Sequence, residues 1–292
     1  VTSDELTLNF VKIANREQSD SEQKATSAGA SGESQPSSGG ARRFAGRREL
    51  QRLVARGEAE MQSRSWLKQD RSDTPRIFQI AGQYIEYNDQ TMSALVNGAG
   101  QMLLVDERAK SGTTTQPADD KKSANGNPFA GKGNTLFRWT DKLEMNRVVD
   151  NRFRIEMSGE VNVRHKSVQR KTGQLVCDQL SAMMERAEST QGDAANREQI
   201  NQRRSALDLG GPAELIDLSG QGNVFVRTET RDIECDAFAY NRISGMAELT
   251  GTEGRQAIVH TRGSAQPLRA KRILWNINED TMTIEGASGH GG

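Results

Sequence analysis

Cysteine, histidine and aromatic residues are scarce in this chain, charge of either sign is not in excess, and no apolar run is long. Of 292 residues, two are cysteine, three are histidine and 5% are aromatic. Two cysteines cannot build a disulfide framework. Cys177 and Cys235 occupy the same position of an internal repeat and read as small buried apolar side chains rather than a bridge. His165, His260 and His290 have no cysteine, histidine or carboxylate at ligand spacing, so no metal site can be named. His165 and His260 fall at strand ends, where solvated side chains are expected. No Gly-x-Ser-x-Gly elbow occurs, which removes the nucleophile of that hydrolase class. No apolar stretch approaches the ~20 residues that cross a bilayer, so no transmembrane segment is expected. Lysine plus arginine equals aspartate plus glutamate at 39 each, which leaves no electrostatic case for nucleic acid. Only 34% of the residues are apolar. That is lean for a compact globule, whereas thin two-sheet or solenoid folds bury few side chains per rung.

What the chain does have is repetition. Six-residue phrases recur at Asp4 to Asn9, Gln83 to Asn88, Asp141 to Asn146, Asp236 to Asn241 and Lys271 to Asn276, with a weaker copy at Asp178 to Ala182. Each alternates apolar and polar residues, the signal of a half-buried strand. A closing glycine keeps step: Tyr87 to Gly98, Tyr240 to Gly251 and Trp275 to Gly286 are each 11 residues apart, and Met145 to Gly159 is 14. After the glycine a third alternating run begins, as in Gly159-Glu-Val161-Asn-Val163 and Gly220-Gln-Gly-Asn-Val224-Phe-Val226. Such a pattern points to stacked units that bury their apolar face against neighbours.

The parity of the apolar residues changes at the aspartate. Ile233 and Cys235 precede Asp236, whereas Phe238 and Tyr240 follow it on the opposite parity; Leu175 and Cys177 stand in the same relation to Leu180 and Ala182. In a regular strand these sets would face opposite ways. A one-residue bulge near Asp178 and Asp236 would return both sets to the interior.

Between the repeats lie polar excursions. The expected organisation is a first strand in 1–14, a disordered insertion in 15–46, repeats in 47–108, a polar insertion in 109–132, repeats in 133–184, a charged glutamine-rich insertion in 185–212 and repeats in 213–289. The 292 residues suit one large or two ordinary domains. Val1 opens inside a repeat phrase with no secretory signal before it, so the chain reads as a mature or truncated part of something longer.

Several signals look chemical. Gly126 to Lys132 has the spacing of a phosphate loop up to its lysine, but Gly133 stands where a serine or threonine should hold magnesium, and a strand rather than a helix is expected next. Asp141, Asp178 and Asp236 share a repeat position and suggest an acid ladder. Gln83 and Lys271 at the equivalent positions favour a turn or bulge role instead. Arg42, Arg43, Arg47, Arg48, Arg52 and Arg56 form a basic cluster, either a solvated face or a dock for phosphorylated sugars or an acidic surface. The apolar ladder Leu6, Leu8, Ile85, Tyr87, Leu143, Met145, Phe238, Tyr240, Ile273 and Trp275 is either a dry core or an open trough that takes acyl chains.

The phrase apolar-x-Ala/Cys-Asp-x-apolar-x-Tyr-Asn, a turn, then apolar-x-Gly-x-Val-x-Val, clearest at Ile233 to Gly251, Leu175 to Leu180 and Gly220 to Val226, resembles the OstA-like (LptA-type) repeat of lipopolysaccharide-transport proteins. The resemblance covers most of the chain outside the three insertions. It implies an all-β fold, a repeat-built antiparallel β-jelly-roll or taco-like solenoid with long disordered insertions. It also implies a periplasmic, non-enzymatic protein that needs no cofactor. Such a protein passes lipopolysaccharide or a similar glycolipid along an apolar interior toward the outer membrane, lined here by the ten ladder residues. Its partners would be other jelly-roll proteins or copies of itself, joined by edge-strand pairing. A structural β-solenoid of the envelope with a dry core is the alternative expectation. A polysaccharide-cleaving β-helix is a third.

Overall fold

The computed structural model of the protein describes residues 3–12, 48–66, 74–107, 132–149, 151–186, 213–252 and 254–285. The expected disordered stretch in 15–46, nearly all of the insertions in 109–132 and 185–212, His290 and the C-terminal tail lie outside the described residues. Among those described, all regular structure is strand.

The first half of the chain contributes β1 (Glu5–Lys12), β2 (Arg48–Ser65), β3 (Arg76–Asn88), β4 (Ser93–Asp106), β5 (Gly133–Trp139), β6 (Lys142–Val149) and β7 (Arg152–Ser167). The second half contributes β8 (Thr172–Arg186), β9 (Ala213–Arg227), β10 (Arg231–Asn241), β11 (Met246–Thr250), β12 (Ala257–Thr261), β13 (Leu268–Ala270), β14 (Arg272–Asn276) and β15 (Thr281–Glu285). All fifteen belong to one antiparallel sheet that follows chain order from β1 to β15. Some rungs are broken at mid-length: β5 and β6 together lie between β4 and β7, and β11 and β12 both pair with β10.

The runs before and after each closing glycine were expected as separate strands. In β4 and β7 the chain instead runs through Gly98 and Gly159 without a break; at Gly251 the break is real. Three phrase-ending asparagines do close turns. Asn88 Oδ1 accepts from the Gln90 and Thr91 amides, Asn241 Oδ1 from the Ser244 amide, and Asn276 Oδ1 from the Asn278 and Glu279 amides. A side-chain carbonyl that bonds the backbone two or three residues on is what favours asparagine there.

The predicted irregularities are present at Asp178 and Asp236, but the extra residue sits on the neighbouring strand. Gly159 and Glu160 of β7 face Asp178 alone, and Gly222 and Asn223 of β9 face Asp236 alone. Gly57 with Glu58, and Gly98 with Ala99, flank Gln83 in the same manner. Gly57, Gly98, Gly159 and Gly222 all have positive φ, between 74° and 85°, the left-handed region that favours glycine.

This row of bulges is a fold line. Arg231 and Tyr240 belong to one strand, and nine extended residues would span ~30 Å. Tyr240 pairs with Ala247 and Ala247 with Trp275, yet the Arg231 guanidinium lies 5.4 Å from the Trp275 ring centroid. The sheet therefore bends back along the bulges, and its two halves face each other. Inward residues of both halves, including Ile233 with Phe238 and Leu175 with Leu180, join one buried cluster running from Leu53 in β2 to Ile277 beyond β14.

Replacing Gly222 with alanine should expose this dependence. Its Cβ would lie 2.4 Å from Asp178 Oδ2 on a backbone at φ +74°, so Gly222→Ala is expected to cost about 2 kcal/mol in urea denaturation. Gly254→Ala, at φ +85° with nothing near the added carbon, is expected to cost about 1 kcal/mol. Equal losses at both sites would show that the contact with Asp178 does not matter.

Candidate functional site

Among the described residues the fold assembles one extended apolar surface, the inward seam. Ile85, Tyr87, Leu143, Met145, Phe238, Tyr240, Ile273 and Trp275 are all buried in it, at 4% exposure or less. Leu6 and Leu8 depart from the expectation that the whole ladder lines the interior: they are 45% and 42% exposed. Their direction is nevertheless inward, because they pair with Ala55 and Leu53, which are core residues. Among the described residues β1 is the end rung, and no further strand covers them. The other end mirrors this, with Ile284 of β15 opposite Ile273 and 40% exposed. The ladder also omits half of the seam. Phe78, Met102, Val163, Val226 and Val259, on the other side of the fold line, are buried as deeply. The parity change at Asp178 and Asp236 was the signal that could have found them.

Polar groups sit along the mouth, where the halves approach each other. Asp280 accepts from the Arg231 guanidinium and from Trp275 Nε1 at 3.2 Å, with Arg231 itself buried and over the Trp275 ring. The three side chains clasp the mouth near the β15 end, joining the first half of β10 to the far half of the sheet. Arg76 lies 3.8 Å from Asp106 farther along the same rim. Tyr87 donates its hydroxyl to Asp89 at 2.7 Å, so its ring stays in the seam while its oxygen reaches the rim.

His165 was expected to be solvated and is not. It continues the inward parity of Val161 and Val163 and is 2% exposed, with Nδ1 2.8 Å from Thr135 Oγ1. Burial pushes its pKa down, so the imidazole is neutral. His260 is exposed, as expected.

The remaining candidates have structural partners. Asp236 accepts from the Thr252 amide at 2.7 Å and hydroxyl at 2.8 Å and pairs with Arg255, and these bonds lower its pKa. Asp178 accepts from Asn223, and Asp141 packs against Gly159. The row of carboxylates therefore secures the fold line. In the basic cluster, Arg52 pairs with Glu86 and Arg56 with Glu5, while Arg42, Arg43 and Arg47 lie outside the described residues. Of the phosphate-loop segment only Lys132 is described, and the following Gly133 opens a strand. Among the described residues no group of histidine, cysteine or carboxylate side chains is placed to hold a metal, and no helix is long and apolar enough to cross a membrane.

On the outer face charge largely cancels across neighbouring strands. Arg152 pairs with Glu185, Arg227 with Asp232, and Arg272 with both Glu248 and Glu285, which raise the Arg272 pKa. Exposed pairs of this kind chiefly set register and solubility.

No family model, no curated protein and no solved structure matches the chain.

Two measurements test this account of the interior. Cys177 and Cys235 are free and buried, and burial pushes both thiols up to about 12. Neither is expected to react with iodoacetamide at about pH 8 until denaturant opens the sheet; mass spectrometry showing rapid native labelling of either would contradict their placement. For His165 the unfolded chain takes up a proton first, near the ordinary imidazole value of about 6.5. Stability should therefore fall as pH drops below that value toward the lower folded pKa. Between about pH 7.5 and about pH 5.5, His165→Leu should flatten the acid-induced loss of stability seen by urea denaturation. An identical pH dependence in the variant would rule the effect out.

Proposed function

We propose that the chain is a repeat-built β-jelly-roll that carries lipopolysaccharide or a similar glycolipid through its apolar interior in the periplasm, without catalysis. The observation that supports this reading is the seam itself: an inward apolar surface running from β2 to β14, with inward apolar side chains of the end strands β1 and β15 uncovered among the described residues. Leu6 and Leu8 at one end and Ile284 at the other continue the seam beyond the covered core. In this reading β1 and β15 are joined by strand addition to another copy or to a related jelly-roll, extending the seam across the junction. Acyl chains enter when the halves part at the mouth, where Arg231, Asp280 and Trp275 hold them together.

One observation favours a second reading. The two halves cover each other so completely that eight ladder residues are nearly inaccessible, which suits a structural envelope scaffold with a permanently dry core. Lipid capture separates the two. A photo-reactive residue at Phe238 or Leu143 is expected to crosslink added glycolipid, and solvent extraction of the purified protein to release bound lipid. No extracted lipid and no crosslink would overturn the carrier reading in favour of the scaffold.

A further inference from the structure

The sheet thins toward its β15 end. β7, β8 and β9 run 16, 15 and 15 residues through the fold line, whereas β11, β12, β14 and β15 have five residues each and β13 has three. Beyond β10, among the described residues, no strand crosses from one half to the other. β11, β14 and β15 continue one half, and β12 with β13 continues the other. These two flaps meet along the fold line, where the Gly251 amide donates to the Lys271 carbonyl at 3.0 Å and Asp236 holds Thr252 and Arg255. Short strands with few ladder bonds open at lower cost than the long rungs beside them.

Across the mouth of this end two turns meet. In the β9–β10 turn, Thr228 Oγ1 accepts from the Arg231 amide at 3.0 Å and the Thr230 amide at 3.3 Å. In the β14–β15 turn, Asn276 holds the Asn278 and Glu279 amides, and Asp280 follows them. Each turn is thus shaped by its own bonds, and their contact can break without unmaking either. That contact is Arg231 over the Trp275 ring, Arg231 and Trp275 both donating to the Asp280 carboxylate, and Arg231 Nη2 reaching the Asp280 carbonyl at 3.4 Å. It is lopsided. Arg231 is 9% exposed and its Nε is buried without an acceptor, while the Asp280 side chain is 42% exposed. Burying a charge costs solvation that an ion pair returns only in part, so an apolar pair would seal this position more firmly. Water already reaches the pair from the Asp280 side.

We propose that Arg231, Trp275 and Asp280 form a latch. When Arg231 and Asp280 separate, the β14–β15 flap swings away from the first half of β10 about the fold line. The β15 end of the seam then opens while β2 to β9 stay closed. The use of that opening, admission of an acyl chain at this end, rests on the carrier reading; the opening itself does not.

Thiol labelling of the full chain tests this, because each cysteine reports a different part of the seam. The Cys235 thiol bonds to the Thr250 backbone of β11, at the base of the flap, whereas Cys177 bonds to the backbone of Gln179 and Gln221 on β8 and β9. Asp280→Asn removes the charge, keeps an acceptor for Trp275 and suits the positive φ of 56° at this position. It is expected to speed iodoacetamide labelling of Cys235 without denaturant by about tenfold or more, and that of Cys177 by less than about twofold. Arg231→Met, which keeps an apolar stem against the Trp275 ring, should show the same selectivity. Arg231→Lys, which keeps a cation, should fall between wild type and Arg231→Met. Equal acceleration of both thiols would show that the three side chains merely hold the whole sheet together. No acceleration of either would show that the flap does not open there. Each result overturns the latch. Selective labelling of Cys235 with no glycolipid crosslink at Phe238 would keep the latch and reject the carrier reading. A crosslink at Phe238 with unselective labelling would keep the carrier reading and reject the latch.

Discussion

Glycine-led bulges set against polar side chains hold the whole arrangement in place. On alternate strands the chain inserts two residues beginning with a left-handed glycine; on the strands between, Gln83, Asp178 or Asp236 stands opposite. The glycine lacks a Cβ because the neighbouring side chain occupies that space. Gly57 meets the Asp4 carboxylate, Gly98 the Gln83 amide, Gly159 Asp141 and Gly222 Asp178. A sheet this wide could not otherwise turn sharply at the same height on successive strands, because pleating alone only twists it. The bulges change the facing of the strand at that height, so a single sheet acquires two facing halves.

Everything apolar follows from that bend. Only 34% of the residues are apolar, and a flat sheet with one covered face would need a second layer to bury them. By folding on itself the sheet uses each half as the cover of the other, so small residues such as Ala55, Ala247 and Ala270 can be fully buried beside Tyr87 and Trp275. The arrangement has no natural terminus. Among the described residues the last rung at each end is paired on one side only, and Leu6, Leu8 and Ile284 are uncovered although they point the same way as the core. Polar side chains lie at the mouth with its buried Arg231, along the fold line with its carboxylates, and on the outer face with its cross-strand ion pairs.

Much of this was legible in the residues, for identifiable reasons. Period-two alternation marked the strands, because a half-buried strand needs it. The parity change at Asp178 and Asp236 required an irregularity, because otherwise Cys235 and Phe238 would face opposite sides. Which strand carried the extra residue was not legible, since a bulge is a property of a pair and the partner of Asp236 is Gly222 with Asn223 on β9, remote in any one phrase. His165 was misjudged for a related reason. Its closeness to the end of a strand suggested solvent, but burial is decided by the facing half of the sheet and by Thr135 across the ladder.

By itself the sequence determined the all-β character, the rung spacing, the turns closed by Asn88, Asn241 and Asn276, and most inward side chains on one side of the fold line, because each depends on near neighbours along the chain. Only the tertiary structure decided that runs on either side of Gly98 and Gly159 form one strand, that Arg231 meets Trp275 and Asp280 across the mouth, and that His165 is buried beside Thr135. Those relations join residues brought together by register and folding, and register is set jointly by the strands that pair.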